Sequence, residues 1–406
     1  MAKQTSLFIL TCLSVVIVSG CGPTKSGIEA RVEARRRMDL VSAKITFEQA
    51  SQSFESGKFD RALREIDAAI RRFPDQPSYY VLRGRIFLET HNLERALRSL
   101  KVARQMDEGN AKAWYYSGII FQRWSNDQQA FESYNRAFEI DANYIQYLLA
   151  AVESLIALGE YESARELIEP KLAYFEYNAS LKQLQAQIAM FQDRPVDAAR
   201  LYADARLLEP DDLVLMEELA WAQFAAEKYE ECLESAKYIQ YKSDEDRLDL
   251  KRLEAQCLSM LGRTHEARDQ YLKLSRKLAS DSDIWAELGT LAWEVEDYAR
   301  VTESGTRLIA LSPKRYEGYL FMAIAAKHTG RPEEAIKLLR KSGERASDIA
   351  APHMLLGHML ENAGVDQQAL IAYLNAIRAE PDNREARFLY NQLNHSQKLS
   401  SVSSEE

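Results

Sequence analysis

The segment GVDQQALIAYLNAIRAEPDN, residues 364–383, repeats the pattern of GKFDRALREIDAAIRRFPDQ, residues 57–76. Both segments carry Gly, Ala, a large apolar residue, Ala and Pro at the same offsets. The two lie 307 positions apart, which is nine periods of 34 residues plus one. Since a fixed period in this range is typical of repeat proteins, the spacing predicts a tandem array with a single-residue insertion.

A 34-residue frame can be followed through most of the chain. Position 8 is Gly or Ala in nine of ten frames, and position 20 is Ala in eight. Helices that cross at short distance need small residues where their axes approach, so each frame predicts one helical hairpin. One step, from Leu213 to Leu248, is 35 residues long. The frames begin at Ala43, Pro77, Ala111, Ile145, Ala179, Leu213, Leu248, Ser282, Tyr316 and Ala350.

Glycine and proline mark the predicted helix ends. A glycine stands between the two helices of five frames, where a left-handed residue can end the first helix. A proline stands at position 32 of four frames, where the second helix has to stop. These residues are Gly57, Gly159, Gly262, Gly330 and Gly364, followed by Pro74, Pro210, Pro313 and Pro381.

The third and eighth frames show the pattern most completely. The third has Trp114, Gly118, Phe121, Ala130, Tyr134 and Ala137, and the eighth has Trp285, Leu288, Gly289, Tyr298 and Pro313. These features resemble the tetratricopeptide repeat, over about residues 43–383. The resemblance implies an all-α fold, a right-handed superhelical solenoid of about ten tandem hairpins. It also implies that the first helices line a concave wall, where this family commonly binds peptides or helices.

Departures from the family pattern are local. Five frames replace the Ala of position 27, with Lys171, Ile239, Leu274, Leu308 and Ser342. Two frames replace the aromatic residue of position 17, with Pro195 and Pro332. They put the geometry of single repeats in doubt but leave the array intact.

The array needs polar ends, because one repeat cannot bury its own apolar face. Residues 384–395 have the length of a final capping helix. Residues 396–406 are polar and predict a disordered tail. At the other end, residues 21–42 read as a short tether that passes into a helix.

The first twenty residues have the pattern of a secretory signal. Lys3 precedes an apolar run from Leu7 to Val18, which is short for a membrane span. The residues Val18, Ser19, Gly20 and Cys21 resemble a bacterial lipobox. The resemblance implies lipidation of Cys21, and the glycine that follows it implies an outer-membrane location that faces the periplasm. An uncleaved anchor helix and a cytosolic start are the alternatives.

Charge and motifs together exclude several classes of function. The formal net charge is −9, which disfavours a nucleic-acid partner. The six histidines show no metal-ligand spacing, and the sequence contains no phosphate-binding loop or nucleophile motif. We therefore predict no enzyme activity, no cofactor and no metal.

Cys232 and Cys257 remain after the anchor is assigned, and they could form either a disulfide or two buried free thiols.

Two groups of residues are candidates for binding a protein partner. By analogy with the family, positions 2, 5, 9, 12 and 13 face the concave wall. In frames five to eight these positions include an apolar series, although packing in the core is the alternative reading. In frames two and three the same positions include basic residues, which could either bind an acidic peptide or form an ordinary solvated surface. The candidates are Met190, Phe191, Trp221, Phe224, Met260 and Trp293, and then Arg85, Lys112 and Arg123.

The sequence as a whole predicts a non-catalytic scaffold, anchored in a bacterial cell envelope, that binds protein partners. A subunit of a secretion or assembly complex is the alternative, with exopolysaccharide export, pilus assembly and outer-membrane biogenesis as settings. A hydrolase or redox protein with a cryptic site would need clustered polar residues, and no such cluster stands out in the sequence.

Overall fold

The computed structural model describes residues 25–243 and 245–403. These residues form twenty-one α-helices, one 3₁₀ turn and no strand. The predicted signal segment and the predicted lipidation site, Cys21, lie outside the described residues.

The helices alternate as the first and second members of hairpins, from α1 and α2 to α19 and α20. From α3 to α19, each first helix has 13 residues and begins at a frame start. The first frame start, Ala43, lies inside the long helix α1. The helices are α1 (Lys25–Glu55), α2 (Phe59–Arg72), α3 (Pro77–Glu89), α4 (Leu93–Met106), α5 (Ala111–Arg123), α6 (Asp127–Ile140), α7 (Ile145–Ala157), α8 (Tyr161–Ile168), α9 (Ala179–Phe191), α10 (Pro195–Leu208), α11 (Leu213–Ala225), α12 (Tyr229–Lys242), α13 (Leu248–Met260), α14 (Thr264–Lys277), α15 (Ser282–Glu294), α16 (Tyr298–Leu311), α17 (Tyr316–His328), α18 (Pro332–Arg345), α19 (Ala350–Asn362), α20 (Asp366–Ala379) and α21 (Arg384–Ser403).

The chain divides into two compact units, the first ending at Phe175 and the second beginning at Glu176. The last second helix of the first unit, α8, has only eight residues and passes into the 3₁₀ turn Glu169–Lys171. Pro170 lies in this turn, and proline cannot donate the backbone hydrogen bond that would continue an α-helix. The departure at Lys171 therefore marks a real irregularity of the fourth hairpin.

Small residues bring the two helices of a hairpin together. A Cβ atom added at Gly118 would lie 2.5 Å from the Tyr134 ring, and one at Gly357 would lie 2.5 Å from the Tyr373 ring. Position 8 therefore faces position 24 of its own hairpin. The eighth hairpin has Gly305 at position 24, and there Phe321 of the next hairpin fills the space against Gly289.

The turn inside each hairpin uses one left-handed residue, at position 15 of all ten frames. The five predicted glycines have φ between 69° and 76°, which confirms their assignment. The other five frames place a residue with a side chain in the same conformation, which is costly for residues other than Gly. These five are His91, Ser125, Asp193, Glu227 and Glu296, with φ between 55° and 60°.

The C-terminal segment differs from the sequence prediction. Helix α21 continues to Ser403, whereas disorder was predicted from residue 396. Ala386 and Leu393 are buried and hold the start of the helix against the array. Residues 396–403 include no Gly or Pro that would end the helix.

Candidate functional site

Four apolar side chains are exposed on consecutive first helices of the second unit. We call Phe191, Trp221, Met260 and Trp293 the apolar strip; they lie on α9, α11, α13 and α15. Their exposed fractions are 57 %, 40 %, 58 % and 38 %. They occupy positions 9, 12 and 13 of the frame, and residues three or four apart share one face of a helix.

The structure places the other two apolar candidates partly in the core. Met190 packs against the buried cluster that joins α9, α10 and α11. Phe224 packs against the large core cluster of the second unit, and its ring meets the Tyr229 ring edge-on at 5.5 Å. These two side chains therefore support the helices next to the strip.

A polar cluster ties α9, α10 and α11 together beside the strip. The Glu218 carboxylate accepts hydrogen bonds from Gln183 Nε2 at 2.9 Å and from Gln187 Nε2 at 3.2 Å. Tyr202 also hydrogen-bonds Glu218, and burial is the main reason why the pKa of Tyr202 is raised. A carboxylate held by three donors fixes the relative positions of these helices.

The three basic candidates of the first unit do not form one free surface. The Arg85 guanidinium lies 4.6 Å from the Phe54 ring centroid and 5.2 Å from that of Tyr116. Arg123 Nη1 donates a hydrogen bond to the Leu88 carbonyl oxygen at 3.0 Å, near the end of α3. Lys112 is exposed. Two of the three cations thus serve intramolecular contacts.

Arginines at two helix starts link successive hairpins, a feature that the sequence analysis missed. Arg247 lies just before α13 and pairs with Glu217 at 2.7 Å and with Asp249 at 2.6 Å. Arg315 lies just before α17 and contacts Asp283 and Glu317. Both arginines precede a helix whose second residue is acidic, which is the sequence signal for this contact.

Cys232 and Cys257 are free, buried thiols that hydrogen-bond each other. That hydrogen bond and burial raise the pKa of Cys232.

Within the described part of the chain, no group of three His, Cys, Asp or Glu residues could hold a metal ion. None of the helices in residues 25–243 and 245–403 combines the length and apolar character needed to cross a membrane.

A family model matches one part of the array. Residues 47–111 match the family model of the tetratricopeptide repeat. That segment contains α2, α3 and α4 together with the end of α1.

Two curated relatives are similar over parts of the chain. DnaJ homolog subfamily C member 3 of Rattus norvegicus is 23 % identical over 247 residues, 56 % of this chain and 48 % of that protein. The TPR repeat-containing protein of Treponema pallidum is 25 % identical over 187 residues, 41 % of this chain and 23 % of that protein. The chain thus spans about half the length of the first relative and less of the second.

Among solved structures, a tetratricopeptide repeat protein from Parabacteroides merdae is similar at 18 % sequence identity with a TM-score of 0.45. The match covers 62 % of this chain and 99 % of that one.

Proposed function

We propose that this protein is a non-catalytic, membrane-anchored scaffold that binds a protein partner through the apolar strip. The observation that carries the proposal is the exposure of four large apolar side chains on consecutive first helices. Aromatic residues and Met are enriched in protein interfaces, where a few such side chains supply most of the binding energy. A matching partner presents an apolar helix face or an apolar peptide to the strip.

The anchor is the second part of the proposal, and the sequence before Lys25 supports it. Lipidation of Cys21 would hold the scaffold on the envelope membrane, and several acyl chains give a stable anchor. A scaffold confined to a membrane surface raises the effective concentration of the partners it holds. Fractionation of cells that carry Cys21→Ser tests this part: we expect release from the membrane fraction, and unchanged fractionation contradicts the anchor.

Crosslinking in the native envelope, followed by capture, tests the strip. The strip variant is Trp221→Ala, Met260→Ala, Trp293→Ala. The control is Val196→Ala, Leu207→Ala, Ile371→Ala, which removes three exposed apolar side chains from second helices of the same unit. We expect the strip variant to lose a partner that the control retains, with both thermal melts close to that of the wild type.

Two outcomes count against the strip. Retention of every partner by the strip variant would mean that these side chains bind nothing. Equal losses in both triple variants would mean that general surface hydrophobicity, rather than the strip, captures proteins.

A further inference from the structure

A cavity of about 460 Å³ lies where the repeat contains its extra residue. The ends of α12 and α14 and the start of α13 surround it. The connection between α12 and α13 belongs to the single 35-residue step of the array. One wall is formed by Leu274, the large residue that replaces the small one at position 27.

Four cations line this cavity, which we call the basic pocket: Lys251, Lys273, Arg276 and Lys277. Glu254 is the one acidic residue among its described lining residues. The whole chain carries a net charge of −9, so this local excess of cations runs against the average.

Two of the four cations are already paired. Asp246, in the connection before α13, forms ion pairs with both Lys251 and Lys277. No acidic side chain of the described residues lies within ion-pair distance of Lys273 or Arg276, and both are exposed. Among the described residues, Lys273 and Arg276 therefore form no ion pair at the rim of the pocket.

The buried carboxyl group of Glu254 also experiences the positive charge of nearby lysines. Glu254 is only 6 % exposed and accepts a hydrogen bond from Gln240 Nε2 at 2.9 Å. Burial raises the pKa of Glu254, whereas the charges of Lys237, Lys251 and Lys273 oppose that rise. Three lysines thus act on the pocket interior.

The pocket also has apolar walls, formed by Leu248 and Leu274. A side chain that enters it meets methyl groups inside and cations at the rim. This combination suits the methylene stem and carboxylate of a glutamate, because the apolar stem is buried while the charge meets its counter-ion. A concave pocket between helices admits a side chain, whereas a flat lipid surface reaches only the rim.

We infer that the basic pocket binds an acidic segment of a protein partner, whose carboxylates pair with Lys273 and Arg276. The site lies on other residues than the apolar strip and does not depend on it. A partner that engages both sites would gain affinity through effective concentration.

Fluorescence anisotropy with a rhodamine-labelled hexaglutamate peptide tests the inference. The full-length protein is used in a neutral detergent at physiological ionic strength, where the screening length is about 8 Å. The pocket variant is Lys273→Glu, Arg276→Glu. The control, Lys337→Glu, Lys341→Glu on α18, makes the same change in net charge at exposed lysines outside the pocket.

We expect saturable binding by the wild type, a loss of about tenfold or more in the pocket variant, and a change of less than about twofold in the control. Equal losses in both variants would overturn the inference, since bulk charge would explain them. Absence of saturable binding would also overturn it. A third outcome would overturn it as well: the wild type binds phosphatidylglycerol vesicles but not the peptide, and the pocket variant loses the binding to vesicles.

Two further variants sharpen the test. Glu254→Gln removes the buried negative charge at nearly constant shape, so we expect it to bind hexaglutamate more tightly than the wild type, and weaker binding contradicts the inference. The strip variant should bind hexaglutamate as the wild type does. If the apolar strip binds no partner, the binding of hexaglutamate to the pocket is therefore still expected. If the pocket binds no hexaglutamate, the proposed function of the strip is not affected.

Discussion

Individual aromatic rings on first helices have opposite roles in the two units, although both units follow the same 34-residue frame. In the first unit, the Tyr115 ring packs 5.5 Å from that of Tyr134 and 5.0 Å from that of Tyr147. In the second unit, Trp221 and Trp293 remain exposed. The frame fixes where a ring is attached, but side chains from neighbouring helices decide whether it is core or surface.

The largest expected effect distinguishes a core ring from a strip ring. Tyr134→Ala removes a ring that is 1 % exposed and packs on Gly118, so we expect a loss of about 3–5 kcal/mol in the free energy of unfolding. Trp221→Ala removes a partly exposed ring, and the expected loss is less than about 1.5 kcal/mol. Urea denaturation followed by circular dichroism measures both. Similar losses for the two variants would refute the contrast between a core ring and a strip ring.

A second test concerns the basic candidates of the first unit. Arg85→Ala removes a guanidinium that lies near two aromatic rings, and we expect a loss of about 1–2 kcal/mol in unfolding free energy. Lys112→Ala changes an exposed side chain, and its expected effect is within about 0.5 kcal/mol. Thermal and urea denaturation compare them. If Arg85→Ala were as mild as Lys112→Ala, Arg85 would be free to bind a partner instead.

A third test compares two tyrosines at position 24 of the second unit. The Tyr373 hydroxyl donates to Glu361 Oε2 at 2.7 Å, and a hydrogen bond to a charged group contributes about 1.5–3 kcal/mol. The buried Tyr271 hydroxyl has no hydrogen-bond partner among the described residues. Tyr373→Phe should therefore lower the unfolding free energy by about 1–2 kcal/mol, whereas Tyr271→Phe should leave it unchanged or raise it. A clear loss in Tyr271→Phe would contradict the assigned geometry.

The smallest expected effect concerns the turns, which the two units share. Ser125 of the first unit and Glu227 of the second both adopt left-handed φ values. Glycine removes that strain, so we expect Ser125→Gly and Glu227→Gly each to raise the unfolding free energy by about 0.5–1 kcal/mol. Gly262→Ala should have the opposite sign. Differential scanning calorimetry measures all three, and a gain in one unit alone would show that the turns differ too.

The array could be predicted from the sequence because its determinants are local. Gly118 and Tyr134 belong to one hairpin, so their contact follows from their spacing, and the prediction of an all-α array of hairpins is confirmed. The left-handed glycines followed from the turn chemistry. The conformation of Glu227 did not, because a glutamate carries no local signal for it.

The candidate site could be predicted only in part. Frame positions identified the four residues of the strip, but Met190 and Phe224 occupy equivalent positions and pack into the core. Met190 packs in a cluster that includes α11 of the next hairpin, and Phe224 packs on Tyr229 of its own hairpin, so the frame position alone does not decide burial.

The sequence contains one signal for the basic pocket. The step of 35 residues marks its location, because the extra residue lies in the connection between α12 and α13. Lys273 and Lys277 lie on α14 and Lys251 lies on α13, so the three lysines line one pocket only after the two helices have packed together. The net charge of the whole chain, −9, therefore gives no sign of this local group of cations.

A photocrosslinking amino acid at Met260 tests the central claim, binding through the apolar strip, most directly. Leu207, an 80 % exposed residue of the second helix α10, is the matched control. The full-length protein is irradiated in the cells that produce it, and adducts are separated by mass. We predict a discrete protein adduct from Met260 that is lost with Trp221→Ala, Trp293→Ala and absent from Leu207. The same adducts from both positions, or none from Met260, would contradict the account.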